Sequence, residues 1–381
     1  MTSPLDRLIR EQRVIVCVGS GGVGKTTVAA AIALKAAMEG RKVIVCTIDP
    51  AKRLANSLGL TELGNQEAKV PSEKFAAAGL TPRGTLFAMM LDLKRTWDDL
   101  VIRHVPREKQ DAILNSRFYQ QLSSALAGSQ EYIAMEKLFD LRKNRDYDLI
   151  VLDTPPTAHA LDFLDAPNRV LDFFGNDSMR WLLTPALRSA KVGFKMFNLT
   201  GGYFVKTLSK LTGMELLQEL SDFMLSLAPM YDVFKERAVA VKELLASKET
   251  AFVLVSSANP LTVEEAIYFH TLLHQNKMPI EAVVANRVNT VGGGKDAASP
   301  ETINGLARLL EGARPLPGPP LKERLGRAIR ESHLLAELDL AQLERLKREC
   351  SPTPLIAVRR FDSDVHDLSG LWEFDKHLFG G

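Results

Sequence analysis

The segment "GSGGVGKTT" gathers residues whose types and spacing could do chemistry: Gly19, Ser20, Gly21, Gly22, Val23, Gly24, Lys25, Thr26 and Thr27. Through Thr26 it satisfies G-x-x-x-x-G-K-[ST], a pattern with a physical mechanism. Its glycines let backbone N–H groups curl around phosphate oxygens, and the N-terminus of a following helix adds partial positive charge. Lys25 is expected to reach the β- and γ-phosphates of a nucleotide, and Thr26 to place its hydroxyl on Mg²⁺. Asp153 ends the apolar run "YDLIVLDT", where it would hold Mg²⁺ directly or through a water. Asp49 lies in "TIDPAKRL", behind another apolar run, at the edge of a sheet where ligands of open α/β folds collect. An Asp before Pro also starts ordinary turns, so the residues alone leave Asp49 between two roles.

These groups converge only if strands carry them. "RVIVCV" runs directly into the glycine loop, and "RKVIVCTI", "YDLIVLDT", "TAFVLVSS", "IEAVVANRV" and the late "PLIAVRRF" share its character. Each is almost continuously apolar, as strands covered on both faces are, and the segments between them have helical patterning. The prediction is an α/β fold with a doubly wound, mostly parallel sheet. Two stretches interrupt the alternation, about 93–140 and about 168–246, and together they predict a helical subdomain inserted into a single domain spanning 1–381. In the second, Phe204, Leu208, Leu211, Leu216, Leu220, Phe223, Leu227, Met230 and Phe234 recur mostly at helical steps. Such a stripe is a groove for a hydrophobic partner, or it is core or a dimer interface; periodicity does not separate them. "NTVGGGKDAASP" reads as a loop and "ARPLPGPPLKE" as an extended linker.

Bulk properties narrow the classes. The 381 residues are 46% hydrophobic and 25% charged, with a net charge of +2, which describes a globular chain with no global attraction to nucleic acid or anionic membranes. The 3 cysteines, Cys17, Cys46 and Cys350, are far apart and form no CxxC pair, against a disulfide framework or zinc clip. No secretory leader and no bilayer-spanning run is expected, so the prediction is a cytoplasmic protein.

"GSGGVGKTT", "DPAKRLANSLG" and "LDTPPTAHALDFL" together resemble the P-loop, switch I and switch II of the anion-transporting ATPase (ArsA-like) family, a group of deviant P-loop ATPases. That family includes the arsenite-pump ATPase and the targeting factor for tail-anchored membrane proteins. The similarity extends to "AGSQEYIAMEKL", to "ANP" before "LTVEEA", to "VANRV" and to "RRFDSDVHDLSGL". The resemblance implies ATP and Mg²⁺ as ligands, with Asp49 activating the attacking water and Asp153 in the Mg²⁺ shell. It further implies that Asn286 reads the adenine edge, for which a side-chain amide offers both donor and acceptor. A strand-end Asn also serves turns, and His159, in the switch II match, reads more simply as a packing or surface residue than as a catalytic one.

The departures from the family are informative. Its members usually carry a lysine at the Ser20 position that crosses the dimer interface toward the partner's nucleotide, which serine cannot replace. A cation on a transferring phosphoryl group is worth about 10³ to 10⁵ in rate. Lys52 and Arg53, close behind Asp49, are the expected substitutes, the alternative being two solvated surface charges. The family's metal-binding cysteines are also missing: "NTVGGGKDAASP" follows the adenine-reading segment and holds none. The expected function is a Mg²⁺-dependent ATPase acting as a nucleotide-switched homodimer, which captures and releases a hydrophobic protein segment or membrane-protein client through its helical subdomain. The alternatives are the energising ATPase of an arsenite or anion pump and a positioning ATPase of the ParA/MinD type.

Overall fold

In the computed structural model the described residues are 3–48, 53–120, 129–154, 233, 235–290, 300–309, 320–362 and 364–380. Among these residues eight strands form one sheet: β1 (Val14–Gly19), β2 (Lys42–Thr47), β3 (Ala68–Lys69), β4 (Thr85–Met90), β5 (Leu149–Asp153), β6 (Thr250–Ser257), β7 (Ile280–Val288) and β8 (Leu355–Arg359). Their spatial order is β3-β4-β2-β5-β1-β6-β7-β8, and all neighbours are parallel except the β3–β4 pair. After β1 the chain crosses past the β5 position to β2, then β5 returns beside β1 and β6 continues on its far side. β1 therefore sits at the reversal of strand order, where an open α/β sheet leaves a crevice at its carboxyl edge.

The unbroken apolar runs follow from burial on both faces. Val14, Val16 and Val18 of β1 belong to one core, while Ile15 and Cys17 belong to the other. β2 divides likewise, Ile44 and Cys46 against Val43 and Val45, and β6 divides Phe252 and Leu254 against Ala251, Val253 and Val255. This is the period of two that a strand imposes, with both sets buried.

One face is covered by α1 (Pro4–Glu11), α2 (Lys25–Met38), α3 (Arg53–Ser57), α4 (Ser72–Ala77) and, from the far end of the chain, a C-terminal helix. The other is covered by α5 (Leu93–His104), α6 (Arg107–Leu114), α7 (Ser129–Asn144), helical residues 235–245, α8 (Pro260–Gln275) and a long late helix. α9 (Pro300–Leu309) packs on that long helix, α10 (Leu321–Glu349), and α11 (Leu368–Leu378) is the C-terminal one. α2 is rich in alanine, with Ala29, Ala30, Ala31, Ala33, Ala36 and Ala37 fully buried, so its backbone lies close to the sheet at no side-chain entropy cost. α11 seats Leu371, Phe374 and Leu378 in the same core, and an N-cap at Asp367, which accepts from the Gly370 N–H at 2.7 Å, starts it.

The structure departs from the sequence reading in two places. β3 and β4 lie at one edge of the sheet and had no counterpart among the expected strands; β3 is two residues long, and the apolar run of β4, Leu86 to Leu91, is built from Leu, Phe, Ala and Met with no Val or Ile, so it lacks the β-branched signal of a strand. Of the expected linker "ARPLPGPPLKE", Leu321 to Glu323 form the first turn of α10 behind Pro320, whose missing N–H costs nothing there; its residues 313–319 lie outside the described residues. The apolar stripe from Phe204 to Phe234, His159 and nearly all of the second interruption lie outside the described residues.

Candidate functional site

β1 ends at Gly19 with φ 147°, and a Cβ there would lie 2.0 Å from the Val255 carbonyl oxygen of β6. Only glycine lets the loop leave the sheet at this point. Gly22 and Gly24 also have positive φ, and Gly24 caps the N-terminus of α2 in the left-handed conformation. Lys25 opens α2, is buried, and donates to the Ser20 carbonyl oxygen at 2.8 Å. Its ammonium is thereby folded over the loop that Gly19, Ser20, Gly21, Gly22 and Val23 form.

Three elements converge on Asp153. The Thr26 hydroxyl from the first turn of α2 donates to Oδ2 at 2.7 Å, and the Thr47 hydroxyl from the end of β2 donates to the same oxygen at 2.8 Å. Parallel register causes this: Asp153 pairs with Cys17 of β1 on one side and Thr47 of β2 on the other. Thr154 continues the strand end, its hydroxyl donating to the Cys17 carbonyl at 2.8 Å. Asp153 is 1% exposed, so its carboxylate lies in a protein-lined site fixed by two hydroxyls. The donor set is hard oxygen, which suits a small divalent cation such as Mg²⁺; Thr26 and Asp153 would hold it.

On the other side of the loop stands the end of β7. The Asn286 amide donates from Nδ2 to the Val23 carbonyl at 2.9 Å and accepts at Oδ1 from the Arg287 N–H at 2.9 Å. Arg287 donates from Nη1 to the Gly22 carbonyl at 3.0 Å. A Cβ on Gly24 would lie 2.2 Å from Asn286 Nδ2, so loop and strand end are in close packing.

A cleft of about 880 Å³ opens over these groups. Its wall includes Lys25, Thr26, Thr27, Arg53, Asn56, Thr154, Asn286 and Arg287, together with Arg360 to Asp362, Asp364 to His366, and Phe374. The lining combines the basic Lys25, Arg53, Arg287 and Arg360 with the apolar Phe361, Val365 and Phe374 and the acidic Asp362 and Asp364, a mixture that suits a ligand with both an anionic and a planar apolar group. Arg53 begins α3 on that wall and is exposed. Asp49 and Lys52 lie outside the described residues. The three cysteines are buried and unpaired. Burial, with Asp153 adding to it, holds the Cys17 thiol well above its ordinary range, and burial pushes Cys46 up to about 12 and Cys350 up to about 11.

Comparison with known proteins decides the family. Residues 12–291 match the family model described as anion-transporting ATPase, a span that takes in the glycine loop, Asp153 and Asn286. The chain belongs to the anion-transporting ATPase family. It is an enzyme that hydrolyses ATP. Among its relatives is a Chlorobaculum tepidum protein named as a candidate arsenical pump-driving ATPase, 26% identical over 81% of this chain and 70% of that one. ATPase GET3 of Malassezia globosa is 26% identical over 72% of each chain, and ATPase GET3C of Arabidopsis thaliana is 25% identical over 74% of this chain and 68% of its own.

The structure thus brings Gly19 through Thr27, Asp153 and Asn286 into one site and sets Arg53 on its wall. It adds Thr47, Thr154 and Arg287, which the sequence reading passed over. Thr47 sits at a strand end two residues before Asp49, and Arg287 directly follows Asn286; strand-end position was the available signal for both.

Proposed function

We propose that this ATPase is Mg²⁺-dependent and works as a nucleotide-switched homodimer that captures and releases a partner. The observation that carries the ATP site is the shared oxygen of Asp153: a P-loop threonine and a β2 threonine hold one buried carboxylate beside Lys25. In this reading the loop N–H groups and Lys25 bind and orient the phosphates, while Thr26 and Asp153 hold Mg²⁺. The cation, when bound, neutralises charge on the transferring phosphoryl group. Asn286 faces the base: each of its two hydrogen bonds uses one donor hydrogen or one lone pair, so its amide retains one of each for adenine. Asp49 activates water. The place of Arg53 on the cleft wall supports a cation from the Lys52–Arg53 pair standing in for the lysine missing at position 20.

The homodimer, the switch and the hydrophobic client rest on resemblance to the targeting ATPases and on the stripe from Phe204 to Phe234. The pump-driving alternative has a similarly named relative, but Cys17, Cys46 and Cys350 are buried with thiols held protonated, which disfavours trivalent arsenic as an activator. Two variants test the site. Lys25→Ala should lose nucleotide binding, and Asp49→Asn should bind ATP but not turn it over; wild-type turnover in Asp49→Asn would refute the assignment.

A further inference from the structure

Two neighbouring side chains of β7 grip two neighbouring carbonyls of the phosphate loop: Arg287 holds Gly22 and Asn286 holds Val23. A trans peptide is planar, with its C=O and N–H pointing opposite ways. Fixing the Gly22 and Val23 carbonyls against β7 therefore fixes the N–H groups of Val23 and Gly24 away from it. Those are the loop groups that a phosphate-binding turn must aim.

The backbone at this point is unusual. Arg287 has φ 60°, in the left-handed region that a side chain of its size rarely enters. The β7–β8 ladder is irregular between Ala285 and Val288, so the strand bends where the two side chains turn toward the loop. Asn286 Oδ1 accepts from the Arg287 N–H at 2.9 Å and stabilises the bend. Beyond it, Asn289 returns to ordinary packing, its N–H and Nδ2 both donating to Asp339 of α10 at 2.7 and 2.9 Å. Residues held in sparsely populated backbone regions cluster at ligand clamps and switch segments, and this one is aimed at a ligand loop. A guanidinium is also well chosen for the task, because it always carries its charge and donates along fixed directions to an oxygen acceptor. Arg287 is exposed along the cleft wall, so the bond to Gly22 is made at the edge of the ligand site and not in the core.

We propose that Arg287 is a positioning residue for ATP: its guanidinium, held in a left-handed bend, clamps the Gly22 carbonyl and presets the phosphate loop for the nucleotide. This rests on the reading of the cleft as the ATP site. The test compares wild type, Arg287→Gly and Arg287→Lys in equilibrium titrations with ATP and ADP, in steady-state hydrolysis, and in melting of the nucleotide-free protein. Glycine relaxes the positive φ and removes the clamp, so that variant should melt at or above the wild-type temperature yet bind both nucleotides about tenfold more weakly. Its KM should rise by a similar factor with kcat within about threefold. Lysine keeps a cationic donor and should retain affinity within about threefold. A residue that only supports the fold would lose affinity and melting temperature together. Affinity of Arg287→Gly within about twofold of wild type, or a loss matched by lower melting in both variants, overturns the clamp. Failure of wild type to bind either nucleotide overturns the ATP-site reading itself, and the clamp with it.

Discussion

Asp375 shows how a single buried carboxyl can limit stability. It lies on α11 against α2, is 2% exposed, and neither carboxylate oxygen has a hydrogen-bond partner among the described residues. Burial raises its pKa well above the ordinary 3.8, and the Lys35 charge opposes this only in part. The Lys35 ammonium is spread over other contacts, 3.5 Å from Glu39 and over the rings of Trp372 and Phe379. In the unfolded chain Asp375 loses its proton near pH 3.8, whereas the folded chain keeps it to higher pH. Its contribution is thus fully present below that value and is lost as pH rises through the folded pKa. Asp375→Leu should therefore stabilise the protein at neutral pH by about 1–3 kcal/mol. Denaturant unfolding at pH 5 and pH 8 checks the sign: the advantage of the variant should be larger at pH 8. A smaller advantage at pH 8 would contradict it.

Elements carry the next set of constraints. The start of α2 and the end of β7 are in such close packing that Gly24→Ala should be costly in two ways. The new Cβ would meet Asn286 Nδ2 at 2.2 Å, and alanine would be forced to φ 99°. About 1–2 kcal/mol of stability should be lost, with ATP affinity falling at least tenfold, as read by titration and thermal melting. A different joint lies on the opposite face of the sheet. Glu136 of α7 forms an ion pair with Arg237 in helical residues 235–245, the side chains being 3% and 18% exposed. Burial raises the Glu136 pKa although Arg237 works against it. Arg237→Leu should destabilise by about 3–5 kcal/mol, because a buried charge loses its partner, and adding Glu136→Leu should recover most of that loss in the same unfolding measurement.

At the scale of the whole molecule, the sheet brings the site together and an assembly of two copies is expected to operate it. Specific ATPase activity measured over a protein concentration series should rise as dimers form, and should not respond to trivalent arsenic or antimony. Flat specific activity would count against the dimer, and metalloid stimulation against the inference from the buried cysteines. The sequence by itself determined the phosphate loop, because Gly19 through Thr27 are consecutive and their geometry is that of one strand, one turn and one helix. It also determined the main strands, since burial on two faces leaves an apolar run that needs no partner to be recognised. Neither cause reaches β3, which is two residues long, or β4, whose apolar run from Leu86 to Leu91 has no Val or Ile and reads equally well as helix. Only the tertiary structure decided that Thr47 shares Asp153 with Thr26 and that Asn286, 263 residues from Val23, grips the loop. Those contacts depend on strand order and on register between strands distant in the chain, and the bend at Arg287 depends on a backbone angle that no arginine announces.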